Sequence, residues 1–163
     1  MIFVSVGTQL GFDRLVRAVD EWRASQHGVR VVAQIGAGSY EPLNMWSTPA
    51  MDTTSYERLV ESSDLLVTHA GVGSLLAARR WRKPVIMLPR RAELGEHRNN
   101  HQVEGAAELF RARGAYIAED IEQLKDLLDR RLELRAPSAL ESESAGLGVR
   151  LGELLDMGLE QAR

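Results

Sequence analysis

No cysteine occurs among the 163 residues. Disulfides, thiolate nucleophiles and cysteine-ligated zinc are excluded together, and the chain suits a reducing compartment. A basic surplus is missing too. Lys and Arg number 20 against 23 Asp and Glu, a formal net charge of −3, so no long-range field gathers nucleic acid. Long apolar runs are also absent. The opening MIFVSVG carries no basic stretch and its apolar run stops at Gly7, unlike a signal peptide. Nothing approaches the roughly 20 apolar residues that span a bilayer. There is no HExxH, no Asp-rich motif, no Gly-Lys-Ser/Thr and no GxGxxG, which removes the simplest zinc, calcium, Walker and dinucleotide signatures. What remains is 44% apolar and 26% charged, an ordinary globular balance. A single soluble, cytosolic domain is expected.

Short apolar runs alternate with amphipathic segments along the chain. IFVSV (2–6) reads as a buried strand closed by glycine. Phe12, Leu15, Val16, Val19 and Trp22 then mark one face of a helix. VRVVAQI (29–35) is a second strand, and residues 36–52, with Pro42 and Pro49, read as a loop. Thr54 and Glu57 have the spacing of a capping box and open a helix through Val60. DLLVTH (64–69) and PVIMLP (84–89) are strands on either side of a helix through Trp81. A helix with Val103, Ala106, Ala107 and Phe110 inward follows, capped by Gly114, then the strand AYIA and a helix from Asp120. This alternation predicts right-handed crossovers: an α/β, Rossmann-like open, mostly parallel sheet with helices on both faces. Residues 1–134 would form that domain. Residues 135–163 would be a linker and a short amphipathic helix (Leu147, Leu151, Leu154, Leu155), either packed on the domain or docking a partner.

In open parallel sheets, ligands bind beyond the carboxyl ends of the strands. Here those ends are GTQ (7–9), GAGS (36–39), HAGVGS (69–74) and PRRAELGEHRNNHQ (89–102). HAGVGS joins a strand to a helix, so free backbone N–H groups and the positive end of the helix dipole face outward there. Gly71 and Gly73 permit close approach and Ser74 adds a hydroxyl, a pattern suited to phosphate or diphosphate. Gly7-Thr8 is a second element for the same anion. His97 and His101 are four apart and would share a helix face. Zinc catalysis usually requires three protein ligands, and only Glu96 stands ready as a third, so no metal is expected. Asn99, Asn100 and Gln102 instead offer paired donors and acceptors that suit sugar hydroxyls. Asn at a helix N-cap, with His101 on the surface, is the plainer alternative.

VTHAGVGSLL, KPVIMLPRR and GEHRNNHQVEGAAEL with Gly114, together with VSVGTQLGFDRLVRAVD, resemble the C-terminal, donor-binding domain of glycosyltransferase family 28 over about residues 1–130. More narrowly, the chain resembles the stand-alone subunits of split glycosyltransferases. These include the PssE-type subunits of bacterial exopolysaccharide synthesis and the catalytic subunit of the dolichol-linked UDP-GlcNAc transferase. The resemblance implies one half of a two-domain (GT-B) enzyme, binding a UDP-sugar. A membrane-anchored partner subunit would present a polyprenyl-diphosphate-linked saccharide, keeping this chain peripheral at the inner membrane face. His69–Ser74, with Gly7 and Thr8, would hold the diphosphate; Asn99, Asn100, His101 and Gln102 would bind the sugar. Transfer would invert the anomeric centre without a metal or other cofactor.

Two departures stand out. Many relatives place a ribose-binding Glu eight residues after the position of His69, where this chain has Ala77. Several have Asp where Asn99 stands. The general base falls to Glu96, His97 or the partner subunit. Arg90 and Arg91 would either read a sugar carboxylate bidentately, contact the diphosphate, or face solvent. A non-catalytic nucleotide-sugar binding or regulatory module is the alternative that Ala77 keeps open. An orphan half-cleft and a Leu-striped tail also suggest self-association when the partner is absent.

Overall fold

Every residue of the central strands but His69 is buried, and successive side chains leave a strand on opposite faces. The sheet must therefore be covered twice. The computed structural model describes residues 1–8, 10–96, 110 and 114–137. Among them are six strands: β1 (Ile2–Ser5), β2 (Val31–Gln34), β3 (Trp46–Thr48), β4 (Leu65–His69), β5 (Val85–Leu88) and β6 (Tyr116–Ile117). Four α-helices accompany them: α1 (Asp13–Ala24), α2 (Thr53–Ser62), α3 (Val72–Arg80) and α4 (Ile121–Asp129). All pairings are parallel, in the order β3-β2-β1-β4-β5-β6. This is the order of doubly wound nucleotide-binding sheets.

Ile2 and Val4 of β1, with Leu65, Val67, Ile86 and Leu88, meet Leu15, Val16, Val19 and Trp22 of α1 and Leu124 and Leu128 of α4. Phe3, Val32, Leu66, Val85 and Met87 meet Val60 of α2 and Leu75 and Ala78 of α3 on the other face. Trp22 Nε1 donates to Asp129 Oδ1 at 2.7 Å and locks α1 to α4. The expected sheet with helices on both faces is what forms.

Three details differ from the sequence reading. Residues 46–48, expected to be loop, pair with β2 as an edge strand. Their apolar content is slight and Trp46 is 61% exposed, so no burial pattern announced them. The cap of α2 is Asp52 rather than Thr54: its side chain accepts from Ser55 N, the usual reach of an N-cap carboxylate. The strands are also one to three residues shorter than their apolar runs. Gly114 does serve as a stop, with φ +84° and Ala115 N donating back to Phe110 O at 3.0 Å, as helix ends require. The rest of the helix expected over 103–113 lies outside the described residues. So does the tail beyond Pro137. No described helix is long and apolar enough to cross a membrane.

The segment after β2 is held by a buried carboxylate. Asp20 of α1, 1% exposed, accepts from Asn44 N at 2.7 Å, Tyr40 Oη at 2.8 Å, Leu43 N at 3.1 Å and Asn44 Nδ2 at 3.2 Å. Burial pushes its pKa up, but these donors together outweigh it and hold the carboxyl below the usual value. Asp20→Ala strands two backbone N–H groups and should cost about 3 kcal/mol, measured by urea unfolding. Because the folded pKa is depressed, the contribution is complete above the unfolded value of about 3.9. It is lost as pH falls through the folded value. The stability gap between wild type and Asp20→Asn should accordingly narrow below about pH 4; a gap independent of pH would contradict this.

Candidate functional site

At β1 and β4 the strand order reverses. The chain leaving β1 turns toward β2, and the chain leaving β4 turns toward β5, so the two connections part and open a crevice at the carboxyl edge. Gly7 and Thr8 lie on one side of it and His69 to Ser74 on the other. Gly71 N donates to His69 O at 2.8 Å, a three-residue turn that brings α3 to the crevice at once. Gly71 is the N-cap of α3 and supplies no side-chain cap. The first-turn N–H groups are thus left uncapped by side chains, with the positive end of the helix dipole behind them.

Both flanking glycines are explained by one ring. Gly7 has φ +81°, and a Cβ there would stand 2.7 Å from His69 Cε1. A Cβ on Gly71 would collide with His69 Nε2. The imidazole therefore sits between two stretches of bare backbone, and their glycines first of all make room for it. Gly73 is different. No described atom from elsewhere in the chain lies within 4 Å of where its Cβ would be, so its side of α3 is open to an approaching group. Ser74, expected to face the ligand, is 6% exposed. Burial pushes the pKa of the Tyr56 phenol up, opposed by the hydroxyls of Ser5 and Ser74. Thr8 is exposed.

In the basic turn after β5, Arg90 is 8% exposed and its guanidinium is taken up by backbone carbonyls. Its Nη2 donates to Val6 O at 2.7 Å and Leu10 O at 2.9 Å; its Nη1 donates to Gly11 O at 2.7 Å and Glu96 O at 3.3 Å. The guanidinium also lies 4.6 Å from the Phe12 ring centroid. It pins the loop after β1 to the end of β5. Burial lowers its pKa, opposed by the charge of Glu96. Arg91 is exposed, donating from Nη2 to Glu119 O at 2.9 Å.

Glu96 is similarly committed. Arg14 Nε and Nη2 grip its two oxygens, each at 2.8 Å, and Arg91 N donates to Oε2 at 2.9 Å. Arg14 Nη2 also reaches Pro89 O at 2.8 Å. A carboxylate held bidentately would have to break a charge-assisted pair before accepting a proton. The geometry therefore gives Glu96 an architectural task, anchoring the start of the following segment. His97, Asn99, Asn100, His101 and Gln102 lie outside the described residues. Among the described residues no cluster of three or more His, Cys, Asp or Glu is placed to hold a metal. Ala77, where the family resemblance would place a ribose-binding Glu, packs against the cluster between the sheet and α2 and α3.

Sequence reasoning missed Gln34, Tyr56 and Arg14. Gln34 had a signal, as the one amide in an apolar strand. Arg14 had none, since charged residues beside an apolar helix stripe are usual.

A family model described as the glycosyltransferase family 28 C-terminal domain matches residues 1–148. The human UDP-N-acetylglucosamine transferase subunit ALG13 is 31% identical over 121 residues, covering 68% of this chain and 10% of the relative. The chain thus spans a tenth of that protein's length. An NMR structure of ALG13 superposes with TM-score 0.59 at 18% identity, over 90% of this chain and 92% of that one. CalG4, the calicheamicin glycosyltransferase, gives TM-score 0.58 at 17% identity, over 79% of this chain and 34% of that one. MurG of Acinetobacter baumannii gives 0.56 at 17% identity, over 81% and 42%. These three structures share the fold.

The glycines should separate by substitution. Gly7→Ala should cost about 1–2 kcal/mol from its positive φ alone, with the clash added. Gly71→Ala should be destabilising through His69 only, so His69→Ala should offset it in a double-mutant cycle. Gly73→Ala should be neutral or stabilising by up to about 1 kcal/mol. Thermal unfolding of the set decides: equal losses at 71 and 73 would remove the ring from the explanation. Arg90→Lys should cost about 2–3 kcal/mol, because an ammonium cannot serve the same carbonyls from one plane.

Proposed function

The chain belongs to the glycosyltransferase family 28 C-terminal domains, and from that premise we propose that it is the donor-binding subunit of a two-chain, inverting glycosyltransferase. The donor is a UDP-sugar. The acceptor is a polyprenyl-diphosphate-linked saccharide of exopolysaccharide or related glycan synthesis, presented by a membrane-anchored second subunit. This chain works at the cytoplasmic membrane face through that partner. The relative's printed description as a subunit supports the division of labour. So does the TM-score of 0.59 with a structure that this chain nearly spans, 92% of it, beside 34% of a glycosyltransferase such as CalG4.

One observation carries the donor assignment. At the reversal between β1 and β4, the open flank of Gly73 and the uncapped start of α3 face the crevice together. Such a helix start holds a nucleoside diphosphate through backbone N–H groups and the dipole. As the sugar departs, the same groups take up the charge growing on the leaving diphosphate, with no metal required. The sugar falls to Asn99, Asn100, His101 and Gln102. Arg14, gripping Glu96, anchors the stem from which they follow. With Glu96 so engaged, the proton of the acceptor hydroxyl goes to His97 or to a group on the partner subunit. With Ala77 packed inward, the ribose is held by other groups, such as backbone.

The isolated chain should bind UDP, followed by chemical-shift titration, yet transfer no sugar. Co-expression with its membrane-anchored partner should restore transfer in membranes. Gly73→Ala should weaken UDP binding about tenfold without loss of stability. Full transfer by the isolated chain would overturn the two-chain reading. Unchanged UDP affinity in Gly73→Ala would overturn the placement of the diphosphate.

A further inference from the structure

Gln34 ends β2 and is 5% exposed, an amide buried in a strand that is otherwise apolar. Its groups are fully deployed. Nε2 donates to Gly7 O and to Pro49 O, each at 3.0 Å. Oε1 accepts from Ser5 Oγ at 3.0 Å. One buried amide thus ties β1 and the turn after it to the segment before α2.

The bond to Gly7 has a directional consequence. The described peptides are all trans. In a trans peptide the carbonyl of one residue and the N–H of the next point opposite ways. β1 lies between β2 and β4. A Gly7 carbonyl held toward Gln34 on the β2 side therefore sends the Thr8 N–H toward β4, the side of His69 and α3. Gly7, at φ +81°, has no Cβ to resist rotation of this peptide. Left alone, the peptide can turn over and present its carbonyl to the crevice, where an anion would be repelled.

We propose that Gln34 is a positioning residue, a latch that keeps the Gly7–Thr8 peptide with its N–H toward the bound diphosphate. The latch acts through backbone and touches no substrate. It rests on the donor reading above for its ligand but not for its geometry. Holding a dipole in place before charge arrives is how buried polar groups aid diphosphate binding and departure.

The test uses the full chain with the near-isosteric variants Gln34→Met and Gln34→Glu, which both lose the donor. Ser5→Ala serves as the control, removing a partner of Gln34 while leaving its donor intact. Without ligand, the Gly7 carbonyl carbon resonance should shift in both Gln34 variants and hold in Ser5→Ala. UDP affinity should fall about tenfold in the Gln34 variants, uridine affinity should not change, and Ser5→Ala should keep UDP affinity within about twofold. A merely structural role would lower UDP and uridine binding alike, and that result overturns the proposal. So does an unmoved Gly7 resonance. Should the variants not fold, the wild type decides: the Gln34 side-chain amide protons should exchange slowly, and fast exchange counts against the latch. If wild-type chain binds no UDP, the donor reading fails while the carbonyl resonance still judges the latch.

Discussion

The structure turns on the pairing of β1 with β4, the one place in the sheet where the order of strands reverses. Parallel strands put all their carboxyl ends on one edge, and only at the reversal do the connections part. Ile2 to Ser5 register against Leu65 to Thr68, and just beyond them the Gly7 backbone comes against the His69 ring. One imidazole then fills the gap between two turns. The glycines on either side answer first to that ring, and the ligand approaches a surface already shaped by it.

Charge around the crevice is spent on architecture. Arg90 serves four carbonyls, Arg14 and Glu96 hold each other, and Asp13 holds Ser39 through its backbone and hydroxyl, the latter at 2.6 Å. Each ties a loop at the carboxyl edge to another element. For the diphosphate proposed above this is a gain, because side chains already paired have no need to rearrange when it enters. Among the described residues, the uncapped start of α3 offers backbone N–H dipoles, which carry no counter-charge to be displaced.

Much of the fold was legible because burial on two faces writes itself as continuous apolar runs in β1, β4 and β5, and as a 3.6-residue stripe in α1. Edge strand β3 was not, since a half-exposed strand of three residues has no such imprint. At the site, HAGVGS and Gly7 were legible as backbone features: a glycine-rich turn says where the chain is bare. Side-chain contacts were not legible where they depend on direction. Ser74 looks in, Arg90 is swallowed, and Glu96 is held by an Arg that is 82 residues away in sequence. Such pairings are set by topology, and local spacing cannot contain them.

Edge strand β3 has one more consequence. It lies between Pro42 and Pro49, with its inner side paired to β2 and, among the described residues, no strand on its outer side. An open strand of this kind invites another chain to add itself to the sheet, a route to fibrous assembly. Three residues offer too short a template, and Pro49, lacking an N–H, stands directly after the last of them. The sheet ends there because its border is too brief to copy.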